Sequence, residues 1–351
     1  MGNGNPKCSV TRRAALLGSA AMAGGAVLGM PSVVRAQVKE IPFTLDIRIY
    51  GGNCPFLLGQ EQGIYTDLGY SLKIDGSPGS AESVRRVATG THDFGFADIS
   101  TLVEFSARNP EATPKLILSV FDRFPACVIS MNKRPIDKPK DLEGARIAVG
   151  AASGATKLLP ALLKLNDVDE SKIDFVTVDV KLRDSLLLRN EIDGIIGFDY
   201  TSIFNLVEAG AKQEDIHLLY YSDYGFNFPA NSLIASRKMI EEEPDLCKAV
   251  ALGVARAWKA GYKDPDAAVA AVVKRESLLQ EKVERARFQW VLDKHIMTES
   301  VKTHGLGYID PARMEKGNQL IKEGFELAEV PQLSQYYDGR FLPDASELKM
   351  V

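Results

Sequence analysis

The chain has 351 residues, of which 45% are hydrophobic and 25% are charged. This ordinary composition excludes a disordered chain, a collagen-like chain and a protein with many membrane spans. The formal net charge of −4 argues against a general nucleic-acid-binding protein. The length predicts about two domains.

The four cysteines, Cys8, Cys54, Cys127 and Cys247, form no CxxC pair and no cluster with histidine. This spacing indicates neither a disulfide framework nor a zinc site. We therefore expect no cofactor and no metal, and we expect the cysteines that follow the leader to be buried as small hydrophobic residues.

The first 36 residues carry basic residues and no acidic ones, and an apolar run follows Arg12-Arg13. A basic start, an apolar stretch and a small residue at Ala36 are typical of a secretory signal peptide. The paired arginines resemble a twin-arginine export motif, with the general secretory route as the alternative. We predict a signal peptide over residues 1–36, cleavage after Ala36 and a periplasmic protein. The alternative, a membrane anchor, is weakened by the glycines in the run.

Strand and helix patterns then alternate in two stretches. The first has strands at 43–50, 70–74, 94–97, 115–121 and 126–131, with helices at 56–68, 81–89 and 100–107. The second has strands at 146–149, 173–178, 194–198 and 216–221, with helices at 157–165, 182–190 and 202–208. The alternation predicts α/β units with largely parallel sheets. After residues 231–236, helices are predicted at 244–262, 265–274, 283–296 and 311–325.

Six segments carry a resemblance to a known family. They are GIY (63–65), GSPGSAES (76–83), VATGTHDFGFAD (87–98), PIDKPKDLEG (135–144), DGIIGFD (193–199) and AWKAGYKDPDAA (257–268). In this order they resemble periplasmic solute-binding proteins of ABC importers, in the branch that binds pyrimidine precursors, taurine, alkanesulfonates and nitrate. The resemblance extends from about residue 43 to about residue 325.

The resemblance implies an α/β, two-lobed periplasmic binding protein fold of a type II-like kind, with two crossover strands and the ligand in the cleft between the lobes. Lobe one would comprise residues 40–125 plus 232–351, and lobe two residues 130–225. The crossings would lie near residues 122–130 and 223–233.

The same resemblance implies a binding protein, not an enzyme, that delivers a small organic nutrient to an ABC permease and its ATPase. We expect a monomer and an N-heterocycle, such as a pyrimidine precursor, or an aromatic acid as solute. The alternatives are an alkanesulfonate, taurine or nitrate binder and, less favoured, a pyrimidine-precursor synthase-like enzyme. Scattered cysteines and histidines and the export signal disfavour the enzyme.

Ligands of open α/β sheets lie beyond the carboxyl ends of strands, where helix starts offer N–H groups and hydroxyls to anions or carbonyls. The candidate ligand residues at such ends are Asn53, Cys54, Ser77, Ser80, Asp98, Ser100, Ser153, Thr156, Asp199 and Tyr200. Phe124 and Tyr224, at the crossings, are candidate aromatic walls. For the hydroxyl and carboxyl residues the alternative role is helix capping. Arg183 is an anion candidate, although arginine is ordinarily exposed, and Trp258 and Trp290 are expected to pack in the core or between domains.

Overall fold

The computed structural model describes residues 38–150 and 154–351. The predicted signal peptide and the candidate ligand residue Ser153 lie outside the described residues. The strands are β1 (Lys39–Thr44), β2 (Tyr70–Asp75), β3 (Phe94–Asp98), β4 (Lys115–Ser119), β5 (Ala126–Met131), β6 (Arg146–Val149), β7 (Asp174–Thr177), β8 (Gly194–Phe198), β9 (Ile216–Tyr220) and β10 (Asn231–Ala235).

The α-helices of the described residues include the ten that the sequence predicts and four short ones that it does not. They are α1 (Cys54–Glu61), α2 (Ser80–Ala88), α3 (Ile99–Arg108), α4 (Gly154–Leu165), α5 (Val180–Leu188), α6 (Asp199–Glu208), α7 (Arg237–Glu242), α8 (Pro244–Lys263), α9 (Pro265–Arg275), α10 (Glu281–Val291), α11 (Glu299–His304), α12 (Pro311–Gly324), α13 (Leu333–Tyr336) and α14 (Ala345–Leu348). A π-helical turn, Leu292–Ile296, continues α10.

The strands form two five-stranded sheets. The first sheet has the order β2-β1-β3-β10-β4 and the second the order β7-β6-β8-β5-β9. In each sheet one strand runs antiparallel to both of its neighbours, namely β10 in the first and β5 in the second. These are the two strands that the chain enters directly after it passes from one sheet to the other. The α/β class is confirmed. Both sheets are mixed, because each contains one strand that runs antiparallel to its neighbours.

The chain passes between the sheets twice. Residues 120–125 lead from β4 to β5, and residues 221–230 lead from β9 back to β10. We call these two stretches the crossing segments. They lie side by side, since the amide nitrogen of Ala230 donates to the carbonyl of Phe121 over 2.8 Å.

The first strand is shorter than its sequence pattern predicts. The alternation over residues 43–50 predicts a strand to the end of that stretch, but β1 ends at Thr44. Thr44 is paired with Asp75, the last residue of β2, so the partner strand ends at the same level. The chain then bends, and this bend brings Asp46 into the interior at 5% exposure.

The first predicted helix is also shorter than expected. The pattern predicts residues 56–68, whereas α1 ends at Glu61 and a 3-10 turn follows at Thr66–Leu68. Gly63, between them, has a φ of 72°, a left-handed conformation that glycine adopts without steric cost.

The core of the first sheet centres on an aromatic cluster around Trp258. Its indole ring lies 5.9 Å from Phe56, 6.3 Å from Phe96 and 5.7 Å from Phe121, measured between ring centroids. Trp258 is fully buried, which confirms the packing role expected for it. Among the described residues, no helix is both long and apolar enough to cross a membrane.

Candidate ligand-binding site

A pocket of about 220 Å³ lies between the two sheets, at the ends where helices begin. Residues associated with the first sheet form one wall: Ile47, Pro78, Gly79, Ser80, Asp98 and Thr101. Residues associated with the second sheet form the other: Gly154, Arg183, Gly197, Phe198 and Thr201. The pocket is therefore a site to which both sheets contribute, in the position where open α/β sheets bind ligands.

Asp98, at the end of β3, forms part of the first wall and caps helix α3. Its Oδ1 accepts hydrogen bonds from the amide and the hydroxyl of Ser100 and from the amide of Thr101. Its Oδ2 is buried and has no hydrogen-bond partner in the part of the chain that the structure describes. Burial raises the pKa of Asp98 to about 6. One oxygen of this carboxyl thus caps helix α3, and the other accepts no hydrogen bond from the described residues.

A second buried carboxyl lies beside Asp98. Asn231, the first residue of β10, is paired with Asp98 across the first sheet and donates from Nδ2 to Asp46 Oδ2 over 2.7 Å. Asp46 Oδ1 and Asn231 Oδ1 are buried, and within residues 38–150 and 154–351 neither has a hydrogen-bond partner. Burial raises the pKa of Asp46 to about 7, and the charge of Asp98 acts in the same direction. We call Asp46, Asp98 and Asn231 the acceptor trio.

The second wall is built around Arg183. Contrary to the exposure expected for arginine, its side chain is 4% exposed. Its guanidinium donates to the carbonyl of Ile196, to Ser202 Oγ over 2.6 Å and to Asp184 Oδ1 over 3.2 Å. A Cβ on Gly197 would lie 2.9 Å from the guanidinium, so glycine at this position leaves the space that the arginine occupies.

Asp199 lies behind this wall and joins the second sheet to the C-terminal helices. Its fully buried carboxylate accepts from His295 Nε2 over 2.9 Å, from Trp290 Nε1 over 2.7 Å and from the hydroxyl of Tyr220 over 2.7 Å. Burial alone would raise the pKa of Asp199, but the charge of His295 and these hydrogen bonds lower it below its ordinary value. We call these four residues the Asp199 clasp.

A buried ion pair forms a second link across the site. Arg287, on α10, pairs with Glu284 over 3.0 Å and donates to the carbonyl of Tyr200 over 2.7 Å. Glu284 in turn accepts from the amide of Gly51 over 2.5 Å. The guanidinium lies 5.2 Å from the ring of Tyr50, which stacks on Tyr200 with 6.3 Å between centroids. Helix α10 therefore contacts the loop after β1 and the start of α6 together.

Several predicted ligand residues lie at the pocket or next to it. Ser80 and Asp98 line it, and they are hydrogen bonded to each other through the amide of Asp98 and Ser80 Oγ over 3.0 Å. Ser100, Tyr200 and Thr156 are not lining residues but stand close to some: the Ser100 hydroxyl lies 3.7 Å from where a Cβ on Gly154 would be, Tyr200 precedes Thr201, and Thr156 follows Gly154 by two residues.

The other predicted residues lie elsewhere, each for a local reason. Both polar groups of the Asn53 side chain bond to the backbone of its own loop, and the Ser77 hydroxyl bonds to Gly79. Cys54 is fully buried at the start of α1, and burial raises the pKa of its thiol well above the ordinary range. Phe124 packs 4.7 Å from Phe228 between the crossing segments. The Tyr224 hydroxyl donates to the carbonyl of Asp137.

Sequence reasoning missed two of the three residues of the acceptor trio. Asp46 lies within a pattern typical of a strand, and Asn231 begins a strand that comes from a distant part of the chain. The only local signal at Asp46 is a charged residue at a position where a buried strand would carry an apolar one.

Comparisons with known proteins agree with this geometry. Residues 53–268 match the protein family described as NMT1/THI5 like. The riboflavin-binding protein RibY of Chloroflexus aurantiacus is 21% identical over 306 residues, which cover 83% of this chain and 83% of that protein. These two matches confirm the resemblance drawn from the sequence.

Solved structures agree on the fold. The periplasmic aliphatic sulphonate binding protein SsuA from Escherichia coli superposes with a TM-score of 0.66 at 13% identity, covering 85% of this chain and 91% of that one. The desulfurization enzyme DSZB superposes with a TM-score of 0.57 at 13% identity, covering 88% and 99%. The periplasmic binding protein fold is thus confirmed, and the fold accommodates both binding proteins and an enzyme.

Proposed function

Because the chain belongs to the NMT1/THI5 like family, we propose that it is an extracytoplasmic solute-binding protein that captures a small organic nutrient and delivers it to an ABC permease and its ATPase. The observation that carries this proposal is the pocket to which both sheets contribute. A solute held there contacts both walls, so binding favours their approach.

The crossing segments supply the hinge in this proposal. Only residues 120–125 and 221–230 carry the backbone between the two sheets of the described chain. We assign residues 40–125 plus 232–351 to lobe one and residues 130–225 to lobe two. Rotation about two short connections that lie side by side changes the cleft without disturbing either sheet, and the closed surface of both lobes is what a permease recognises.

Binding without catalysis is the function that these residues support best. The three thiols of the described residues are buried, and burial raises the pKa of Cys54 and of Cys127, which donates to the carbonyl of the lining residue Gly197, well above the ordinary range. A protonated, inaccessible thiol is a poor nucleophile. The carboxyls of the pocket wall have no histidine or lysine within hydrogen-bond distance to form an acid–base pair, as far as the described residues go.

A ligand screen tests the proposal. Purified protein is heated with pyrimidines, thiamine precursors, riboflavin, taurine, alkanesulfonates, nitrate and aromatic carboxylates, and the unfolding temperature is measured. A ligand at 100 times its dissociation constant stabilises the fold by about 2.7 kcal/mol. The variant Thr201→Trp fills the pocket and abolishes the shift, whereas Leu278→Trp, at a side chain 97% exposed, retains it. A shift that survives in Thr201→Trp contradicts the proposed site.

Export is a separate part of the proposal. We place the mature protein in the periplasm after cleavage behind Ala36, and we expect it to be a monomer. N-terminal sequencing of the periplasmic protein tests the cleavage site, and Arg12→Lys together with Arg13→Lys blocks export if the twin-arginine route is used. Export that is unaffected by the double substitution points to the general secretory route.

A further inference from the structure

The acceptor trio adjoins the pocket through Asp98, and all three side chains are buried. Asp46, Asp98 and Asn231 are 5%, 2% and 0% exposed. Asp98 lines the pocket, and Asp46 directly precedes the lining residue Ile47. Each of the three side chains retains one buried oxygen that has no hydrogen-bond partner among the described residues. Three unused acceptors in one place are unusual, because buried polar groups are nearly always paired.

Among the described residues, no donor is hydrogen bonded to these three oxygens. The side-chain amide of Asn231 already donates a hydrogen bond to Asp46 Oδ2. The backbone amides of Ser100 and Thr101 already donate to Oδ1 of Asp98. The two buried cations nearby are engaged as well. Arg287 pairs with Glu284, and Arg183 bonds to Ile196, Ser202 and Asp184. A group that enters the pocket therefore meets negative charge and free lone pairs.

We propose that the solute presents a cationic nitrogen to this trio, donating N–H groups to Asp46 Oδ1 and Asp98 Oδ2. This inference rests on the proposed function and names the class of its solute. The nitrogen supplies both the missing donors and the missing positive charge, and hydrogen bonds between charged partners are the strong ones. An anionic group in the same place would face two carboxyls, which would repel it.

The size of the pocket favours a cation of about one ring. The volume of about 220 Å³ is below the range of roughly 300–1,000 Å³ that is typical of sites for drug-sized molecules. Amidinium and aminoheterocyclic cations have the matching size, shape and donor pattern.

Calorimetric titration of the purified full chain at pH 7.5 tests this inference. The cationic probes are benzamidinium, 4-aminopyridinium and 2-aminoimidazolium, and the anionic probes of similar size are benzoate and benzenesulfonate. We expect saturable binding of at least one cation and none of the anions. Asp46→Asn and Asp98→Asn preserve side-chain volume, and Asn still caps a helix, so both variants retain the fold. Each is expected to weaken cation binding at least tenfold, whereas Asp67→Asn, at an exposed residue, leaves it unchanged.

The contrary results separate this inference from the proposed function. Binding of benzoate or benzenesulfonate in preference to the cations overturns the inference and leaves a solute-binding protein. Cation binding that is unchanged in both Asp46→Asn and Asp98→Asn also overturns it, since the trio is then a static network that shares a proton. Failure of all three cations to bind overturns it too, and the ligand screen with Thr201→Trp then decides the proposed function on its own.

Discussion

The carboxylate of Asp199 and the imidazole of His295 lie 2.9 Å apart, and both side chains are fully buried. Asp199 begins α6 directly after a strand of the second sheet, and His295 belongs to the π-helical turn behind α10. The amide of Asp122, in the first crossing segment, donates to the carbonyl of His295 over 2.8 Å. The pair thus fixes the second sheet to the hinge region, and π-helical turns of this kind are frequent at functional sites.

Removing the carboxylate of the Asp199 clasp is predicted to destabilise the protein strongly. Asp199→Ala leaves the buried donors of His295, Trp290 and Tyr220 without their acceptor. Breaking a buried pair in this way costs about 3–5 kcal/mol. Urea unfolding at pH 7 measures the loss. The control is Glu243→Ala, which breaks a half-exposed pair with Lys39 and is expected to cost much less. Equal losses of stability in the two variants would contradict the stabilising role given to the buried Asp199 carboxylate.

The Arg287–Glu284 pair is predicted to behave as one unit. Arg287→Met leaves the Glu284 carboxylate buried with the Gly51 amide as its remaining partner, at a cost of about 3–5 kcal/mol in the free energy of unfolding. Adding Glu284→Gln removes the uncompensated charge and recovers part of that loss. A double-mutant cycle from urea unfolding gives the coupling, expected at about 1–3 kcal/mol. Additive effects would show that the two side chains act independently.

Asp46 is predicted to make stability fall as the pH rises. Its pKa is about 7 in the folded protein against 3.8 for the ordinary side chain, so folding favours the protonated form. The resulting stabilisation is fully present below pH 3.8 and is lost as the pH rises through 7. Asp46→Asn lacks this loss, so its stability relative to the wild type should increase by about 2–3 kcal/mol between pH 5 and pH 8. A constant difference across this range would show that Asp46 is not buried as described.

Two glycines of the pocket wall are predicted to differ in their tolerance of a methyl group. A Cβ on Gly197 would lie 2.8 Å from Ser202 Oγ and 2.9 Å from Arg183, whereas one on Gly154 would find its nearest neighbours at 3.7 Å. We expect Gly197→Ala to lose about 1–3 kcal/mol of stability and to weaken solute binding, because Arg183 must move. Gly154→Ala is the matched control and should be close to neutral. Urea unfolding and the ligand-induced thermal shift measure both effects, and equal behaviour of the two variants would contradict the packing described around Arg183.

The local pattern of the chain predicts most of the strands and the longer helices, whereas the positions of the two crossings were implied by the family resemblance. Hydrophobic alternation and turn residues are local signals, so most strands and helices lie within a few residues of their predicted bounds. Ser80 and Asp98 were found because they stand where a strand ends and a helix begins. The early end of β1 could not be predicted, because it depends on where β2 ends.

The same dependence on distant segments of the chain explains why the surroundings of several candidate residues could not be predicted from the sequence. Asn53 and Cys54 were expected at a strand end, but the strand ends at Thr44, and the loop that carries them packs on Glu284 instead. Asp199 was expected to face a ligand, but its partners Trp290 and His295 lie more than 90 positions further along the chain. No local pattern shows which distant side chains will surround a buried carboxyl.

Closure of the cleft on a solute is tested most directly by the distance between two spin labels placed on opposite sides of the pocket. Leu278 and Leu182 are 97% and 57% exposed, and they lie beside the first and second walls respectively. The three native thiols of the described chain are buried, so a thiol-reactive spin label attaches selectively to the cysteines introduced by Leu278→Cys and Leu182→Cys. With a solute from the screen, pulsed electron resonance should show a shorter and narrower distance distribution than without it. A distribution that is unchanged when calorimetry shows the protein to be saturated would contradict capture between the two sheets.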